Sequence, residues 1–189
     1  MLISDELERT LKRAFERAKK NRHEFIAPEH LLFALTYDSV AADVLFHCGA
    51  DVVALRGELD AFLDENMPAF PPGTGPDEDD APDPQYTLGA QFVLQLAATN
   101  VQSAGKSEMD GGNVLAALFR DKDSHAVYLL GRQNVTRLDV LRFLSHGVSK
   151  RGPGRPDESE GEGEDVEIVG SDIPEDSSEV LARFCVNLN

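Results

Sequence analysis

The sequence contains no tryptophan, only two cysteines and no long apolar run. Cys185 follows an acidic stretch far from Cys48, so we expect no structural disulfide, which fits a cytoplasmic protein. No apolar run approaches the roughly 18 residues that a membrane-spanning helix needs. The N-terminus is charged from Asp5 onward and lacks the apolar core of a signal peptide. We therefore predict no membrane partner.

Positive charge is also scarce, because 18 lysines and arginines face 34 acidic residues, for a net charge of −16. Most of the excess lies in two stretches rich in proline and glycine. Residues 71–86 hold five acids and no lysine or arginine, and residues 151–179 hold eleven acids and two arginines. Such segments cannot bury enough apolar area to offset chain entropy. We predict two mobile acidic linkers and no nucleic-acid partner.

Elsewhere the apolar residues follow a helical period, and no clear strand pattern is present. Pro28 suits the first position of a helix, where its missing N–H is not needed. The first helix is predicted after Ser4, with an apolar face of Leu7, Leu11, Ala14, Phe15 and Ala18. Further helices are predicted after the capping residues Asp38, Asp51, Thr87, Asp110, Ser124 and Thr136. The helix after Thr87 is predicted to carry Leu88, Phe92, Leu94, Leu96 and Val101 on its apolar stripe.

The two halves of the chain share a register at an offset of 83 residues. The aligned pairs are Leu11 with Leu94, Ala14 with Ala97, Leu32 with Leu115, Leu35 with Leu118, Val44 with Val127 and Leu55 with Leu138. This indicates a tandem repeat of a four-helix unit. Because each unit alone has a small core, we expect the two to pack on each other.

One short run resembles a nucleotide-binding motif. Gly105, Lys106 and Ser107 match the end of a phosphate loop. The motif also needs a glycine at the position of Asn100 and a preceding strand, whereas a helix is predicted there. We interpret the run as a chance match.

No other residues form a convincing catalytic or metal centre. His23 and Asp64 are candidates to share a metal, but a surface or capping histidine is favoured. Cys48 and His47 are adjacent on a helix and do not face each other. Glu29 at a helix start is explained by the helix dipole, although a carboxylate at an exposed N-terminus is also a plausible docking contact. The pattern favours a docking module over an enzyme.

Short runs spread over residues 1–150 resemble the N-terminal domain of the ClpA-type Clp ATPases. They are RHEF (22–25), EHLL (29–32), CGAD (48–51), TLG (87–89), VQSAGK (101–106), NVLAALF (113–119), SHAVYLL (124–130), VTRLDV (135–140) and SHG (145–147). The end of the chain, 180–189, resembles the entry into the first AAA+ ATPase module of that family.

The resemblance implies an all-α fold of two tandem four-helix repeats, packed as a pseudo-twofold bundle and followed by a disordered acidic linker. The expected segments are a first repeat (1–70), a linker (71–86), a second repeat (87–150), a tether (151–179) and the start of the ATPase module (180–189). It implies an unfoldase that feeds protein substrates to the ClpP peptidase. ATP and Mg²⁺ would bind the full-length hexamer, and we expect no cofactor in this chain, which we expect to be monomeric.

The resemblance also implies docking of a ClpS-type adaptor. The candidate adaptor-binding residues are Glu29, Thr87, Gln85 and Gln91. Phe92 and Leu96 stand where the family usually has arginines. They favour an alternative, which is adaptor-independent recognition of unfolded or modified polypeptide in an apolar groove between the repeats.

Residues 1–189 are expected not to hydrolyse ATP, because the phosphate-loop match lacks both its first glycine and its strand. A colorimetric phosphate-release assay on the purified chain checks this. Turnover that Lys106→Ala abolishes would contradict the interpretation of the run as a chance match.

Overall fold

The computed structural model describes residues 2–74 and 82–151. The first half contains β1 (Leu2–Ile3), α1 (Asp5–Lys20), β2 (Phe25–Ile26), α2 (Pro28–Leu35), α3 (Ser39–His47) and α4 (Val52–Asn66). The second half contains β3 (Gln85–Tyr86), α5 (Leu88–Ser103), β4 (Glu108–Met109), α6 (Gly111–Leu118), α7 (His125–Arg132) and α8 (Arg137–His146). The predicted all-α class and its helices are confirmed. The disordered linker was predicted for 151–179, but Arg151 is described and donates to Ala50. The rest of that linker, residues 75–81 of the first linker and the ATPase entry at 180–189 lie outside the described residues.

The helices begin where the sequence places capping side chains. Ser4 Oγ accepts from Leu7 N at 3.1 Å, and Thr87 Oγ1 accepts from Ala90 N at 3.2 Å. Asp38, Asp51, Asp110, Ser124 and Thr136 likewise accept from backbone N–H groups in the first turn of their helices. Each cap pairs an N–H that has no partner within the helix.

Four strands of two residues each were missed by the sequence prediction, because two residues are too few to show alternation. They pair across the halves in parallel, β1 with β4 and β2 with β3. Leu2 N donates to the carbonyl of Ser107, and Gln85 N donates to the carbonyl of Glu24. The donors and the acceptors of these two bonds are each 83 residues apart, as a pseudo-twofold axis requires. Gln85 and Tyr86 therefore form a strand, although we predicted them as linker.

The core is built around α2 and α6. All eight residues of α2 are buried, and so is every residue of α6 except Asn113. An isolated helix of eight residues is unstable in water, so each of these helices depends on tertiary packing. The two halves belong to one compact unit.

The 83-residue register holds for the first two helices and then shifts. The caps Asp51 and Thr136 of α4 and α8 are 85 residues apart. Leu55 is fully buried, whereas its predicted partner Leu138 is 55% exposed and Val140 is the buried residue. The pairing of Leu55 with Leu138 was wrong, because the loops before α3 and α7 differ in length.

The apolar stripe predicted for α5 was partly wrong as well. Leu88 and Phe92 are exposed, and the buried residues of α5 are Ala90, Val93, Ala97 and Val101. These lie 83 residues after Leu7, Thr10, Ala14 and Ala18, which are the buried residues of α1. Because α5 is apolar on several sides, its periodicity alone did not identify the buried face.

The segment after α8 runs back to the first half. Lys150 N donates to the carbonyl of His47 at 2.8 Å, and Arg151 Nη2 donates to the carbonyl of Ala50 at 3.1 Å. The Arg151 guanidinium also lies 4.3 Å from the centre of the Phe46 ring. The last described residues are therefore fixed to the end of α3.

Gly111→Ala is expected to lower the free energy of unfolding by about 1–3 kcal/mol. A Cβ at Gly111 would lie under 3.0 Å from the carboxyl group of Asp38, which is buried and accepts from Thr10 Oγ1 and Ala41 N. Chemical denaturation measures the change. Gly57→Ala in α4 is the matched control, since a Cβ there meets nothing within 4 Å. The control should be neutral or stabilising, and equal effects at both positions would contradict the close approach.

Candidate docking surface

The predicted adaptor-binding residues of the second half lie along β3 and the start of α5. Gln85 and Gln91 are exposed. Gln91 Nε2 donates to the carbonyl of Tyr86 at 2.8 Å, which fixes the side chain on the strand. Thr87 is half-buried, because its hydroxyl caps α5 and also donates to the carbonyl of Ile26 at 3.3 Å. These residues form one polar surface where β3 meets β2.

Glu29 was expected at an exposed helix N-terminus, and that expectation was wrong. Its residue exposure is 6%, and its Oε1 accepts from Ala126 N at 3.1 Å. The carboxylate thus caps α7, a helix of the other half, and favourably meets the positive end of the α7 dipole. The residue equivalent to Glu29 in the second half is Gly112, so this cap has no counterpart across the pseudo-twofold axis.

The outer face of α5 is apolar and uncharged. Leu88 is 83% exposed and Phe92 48% exposed, while Leu96 is half-buried against the core. No residue of α5 is charged, whereas α1 carries ten charged residues. The positions equivalent to Phe92 and Leu96 in α1 are Arg9 and Arg13. The contrast shows that the fold does not require an apolar face here.

Phe25 and Leu88 also belong to this surface, and we missed both from the sequence. Phe25 is 39% exposed and pairs with Gln85 across β2 and β3. The signal for Leu88 was available, since its equivalent 83 residues earlier is the exposed Asp5. We call Phe25, Gln85, Leu88, Gln91 and Phe92 the β3–α5 surface.

Beneath β2 lies a buried histidine pair. His23 Nδ1 is 2.9 Å from His30 Nε2, and His30 Nδ1 accepts from Ala27 N at 3.1 Å. The proton shared by the pair therefore resides on His30 Nε2, which donates to His23. Burial lowers the pKa of His30 to about 3, and burial likewise lowers the pKa of His23. Both rings are neutral at pH 7.

We favoured a surface or capping role for His23 over a metal site shared with Asp64, and the surface role was wrong, because His23 is buried and contacts His30. Asp64 Oδ1 accepts instead from Arg17 Nη2 at 2.7 Å and from Asn21 Nδ2 at 2.6 Å. Within residues 2–74 and 82–151, no group of three or more His, Cys, Asp or Glu side chains is placed to hold a metal ion. In the same part of the chain, no helix is long and apolar enough to cross a membrane.

The remaining motifs lack catalytic geometry. Gly105 follows the C-terminus of α5 with φ of 67°, so the run Gly105–Ser107 is preceded by a helix and is not a phosphate loop. Cys48 is 1% exposed, and burial raises the pKa of its thiol to about 11. A protonated, buried thiol is a poor nucleophile.

The described residues form two packed helical repeats, with apolar and polar side chains exposed together on the β3–α5 surface. A family model described as the Clp repeat (R) N-terminal domain matches residues 2–133. The chain therefore belongs to the Clp N-terminal domain family.

Relatives and solved structures agree with this assignment. The chain is 34% identical over 190 residues to a ClpA homolog protein of Fuscovulum blasticum, covering 99% of this chain but 23% of that protein. It is similar in fold to the Hsp104 N-terminal domain from Candida albicans, with a TM-score of 0.64 and 15% identity over 82% of this chain and 95% of that one. It is also similar to the ClpV1 N-terminal domain from E. coli, with a TM-score of 0.57 and 18% identity over 82% and 91%. A further similar structure is a complex of a ClpV N-domain with a VipB peptide, with a TM-score of 0.58 and 16% identity over 78% and 89%.

The stability of the domain is expected to fall as the pH drops below about 6.5. The folded pKa of His30 is about 3, below the ordinary value of 6.5, so the unfolded chain binds more protons in this range. The contribution of neutral His30 to the free energy of unfolding is present above pH 6.5 and is lost as the pH falls from there towards 3. Each histidine held neutral adds a slope of up to about 1.4 kcal/mol per pH unit.

Urea unfolding between pH 7 and pH 4.5 measures this slope. The control is the double variant His23→Leu with His30→Leu, which removes both titrating rings. It should be less stable by about 1–3 kcal/mol at every pH, because Ala27 N loses its acceptor. The variant should show a flatter pH dependence. An unchanged slope would contradict the assignment of the acid sensitivity to this pair.

Proposed function

We propose that the chain is the adaptor- and substrate-docking domain of a ClpA-type unfoldase. The observation that carries the proposal is the β3–α5 surface, which joins exposed glutamines to exposed apolar side chains on a family fold without catalytic geometry. We further propose that the partner is a ClpS-type adaptor and that the full-length protein, in the cytoplasm, binds ATP and Mg²⁺ and passes substrates to a ClpP peptidase.

The adaptor would dock over Gln85, Gln91 and the half-buried Thr87, with Glu29 at the edge. Glu29 uses Oε1 to cap α7, so its second oxygen is the one left for a cationic side chain of the adaptor. Pairing of the Glu29 carboxylate with a cation of the adaptor would cost little stability, because the hydrogen bond from Ala126 N to Oε1 remains. Docking and helix capping are in this way combined in one carboxylate.

The two roles of Glu29 can be separated by comparing Glu29→Ala with Glu29→Gln. The Ala variant removes the cap and should lower the free energy of unfolding by about 1–3 kcal/mol, because Ala126 N is left buried without an acceptor. The Gln variant keeps an amide oxygen for Ala126 and should be nearly as stable as wild type. Calorimetric titration with the ClpS-type adaptor then measures affinity for each protein.

If the adaptor contacts the charge of Glu29, both variants should bind it at least about tenfold more weakly than wild type, because both lack the carboxylate. Gln91→Ala should also weaken binding, and Asp123→Ala, a substitution on a loop that is not part of the β3–α5 surface, serves as the control. Wild-type affinity in Glu29→Gln would refute a charge contact at Glu29. Absence of binding by wild type would refute adaptor docking.

A second candidate function is direct recognition of unfolded polypeptide. The exposure of Phe92 and Leu88, on a helix without charge, favours it. Phe92→Ser should then weaken binding of a labelled, permanently unfolded protein, whereas Glu29→Gln, which leaves the exposed apolar side chains in place, should bind it like wild type. Equal binding of unfolded protein by Phe92→Ser and wild type would remove this candidate.

A further inference from the structure

An open cleft lies on the outer side of the first repeat, away from the residues of the β3–α5 surface. Its volume is about 320 Å³. The lining residues are Arg13, Glu16, Arg17 and Lys20 of α1, Phe33 of α2, and Tyr37. We call it the basic cleft. Nothing in the proposed function uses it.

Tyr37 forms a pre-arranged aromatic wall of the basic cleft. The residue is 43% exposed, and two guanidinium groups lie over its ring, Arg56 at 3.7 Å from the ring centre and Arg13 at 4.8 Å. Arg56 is held in place, because Nε donates to Thr36 Oγ1 at 3.1 Å and Nη2 to the carbonyl of Thr36 at 2.7 Å. The ring also packs edge-on against Phe33 at 5.4 Å. The wall therefore needs little ordering when a ligand arrives.

The charge of the cleft is positive and only partly neutralised. Arg17 is paired with Asp60 at 2.8 Å and with Asp64 at 2.7 Å, so its charge is matched. Glu16 lies 3.7 Å from Lys12 on the same helix. In the described part of the chain, no carboxylate lies within 4.0 Å of the charged atoms of Arg13 or Lys20. Two unmatched cations thus face one cleft on a chain whose net charge is −16.

The second repeat has a cleft at the related position, which is lined by different residues. That cleft, of about 250 Å³, is lined in part by Asn100 and Ala116. These are the residues 83 positions after Arg17 and Phe33, and the equivalent of Arg13 is Leu96. The fold therefore tolerates neutral residues at these three positions. Lys106 and Arg137 also line the second cleft, so it is the aromatic rings, and not positive charge alone, that distinguish the first cleft.

We propose that the basic cleft binds an acidic peptide segment of a partner protein. Carboxylates of the peptide pair with Arg13 and Lys20, and one apolar side chain packs against the exposed edge of Tyr37, beside the two guanidinium groups. Asp60, Asp64 and Glu16 lie beside the cleft and repel any anionic ligand, so a short segment that places its carboxylates on Arg13 and Lys20 fits, and a continuous row of phosphates fits less well. This site shares no residue with the β3–α5 surface, so the two can be occupied and tested independently.

Fluorescence anisotropy of the full chain with a short labelled peptide of glutamates around one phenylalanine tests the proposal. Wild type should bind this peptide and not the analogue with glutamine in place of glutamate. The double variant Arg13→Gln with Lys20→Gln should bind about tenfold more weakly. Glu16→Gln should bind more tightly, since it removes the carboxylate of the cleft. Added salt should weaken the interaction.

The matched control is Arg120→Gln with Lys122→Gln, which removes two exposed cations outside the cleft and changes the net charge equally. Circular dichroism verifies the fold of each variant, and all four substituted cleft and control cations are exposed. Absence of binding by wild type would overturn the proposal. So would an equal loss in the control, or tighter binding of a single-stranded oligonucleotide than of the acidic peptide.

Discussion

The fold depends on the burial of two short helices that neither half can cover alone. Every residue of α2 is buried, including Glu29 and His30, and α6 is nearly as enclosed. Apolar burial supplies the driving force, and the polar groups that are buried with it must then find partners, either in the other half or nearby in the same half. Glu29 does so on α7, and His30 on His23 and Ala27. The strand pairs between the halves accompany the same packing, since β2 directly precedes α2 and β4 directly precedes α6.

Local chemistry made part of this architecture predictable. The capping roles of Ser4, Thr87 and Asp110 could be predicted, because a cap and the N–H group that it accepts from are only a few residues apart. Pro28 marks the first turn of α2 for the same reason. The repeat at an offset of 83 identified the two halves and their first two helices. The caps can be identified from a few consecutive residues, and the repeat from a comparison of the sequence with itself.

Other features depend on residues far apart in the sequence and could not be predicted in the same way. The direction of the Glu29 side chain is decided by Ala126, 97 residues away. The exposure of Leu138 depends on loop lengths that shift the register before α7. Of the residues that we named from the sequence, Gln85, Gln91 and Phe92 are exposed together, whereas we did not name Phe25 because its strand is only two residues long. The docking role of these residues remains a prediction.

The attachment of Ser149–Arg151 to α3 has a mechanical consequence. A load applied beyond Arg151 would reach the first half before it reached α8, through the bonds of Lys150 to His47 and of Arg151 to Ala50. Bonds that are loaded one after another yield at a lower force than bonds loaded together, so this short segment would peel away first. Release of this segment would lengthen the chain that follows α8 and leave the packing of α2 and α6 intact.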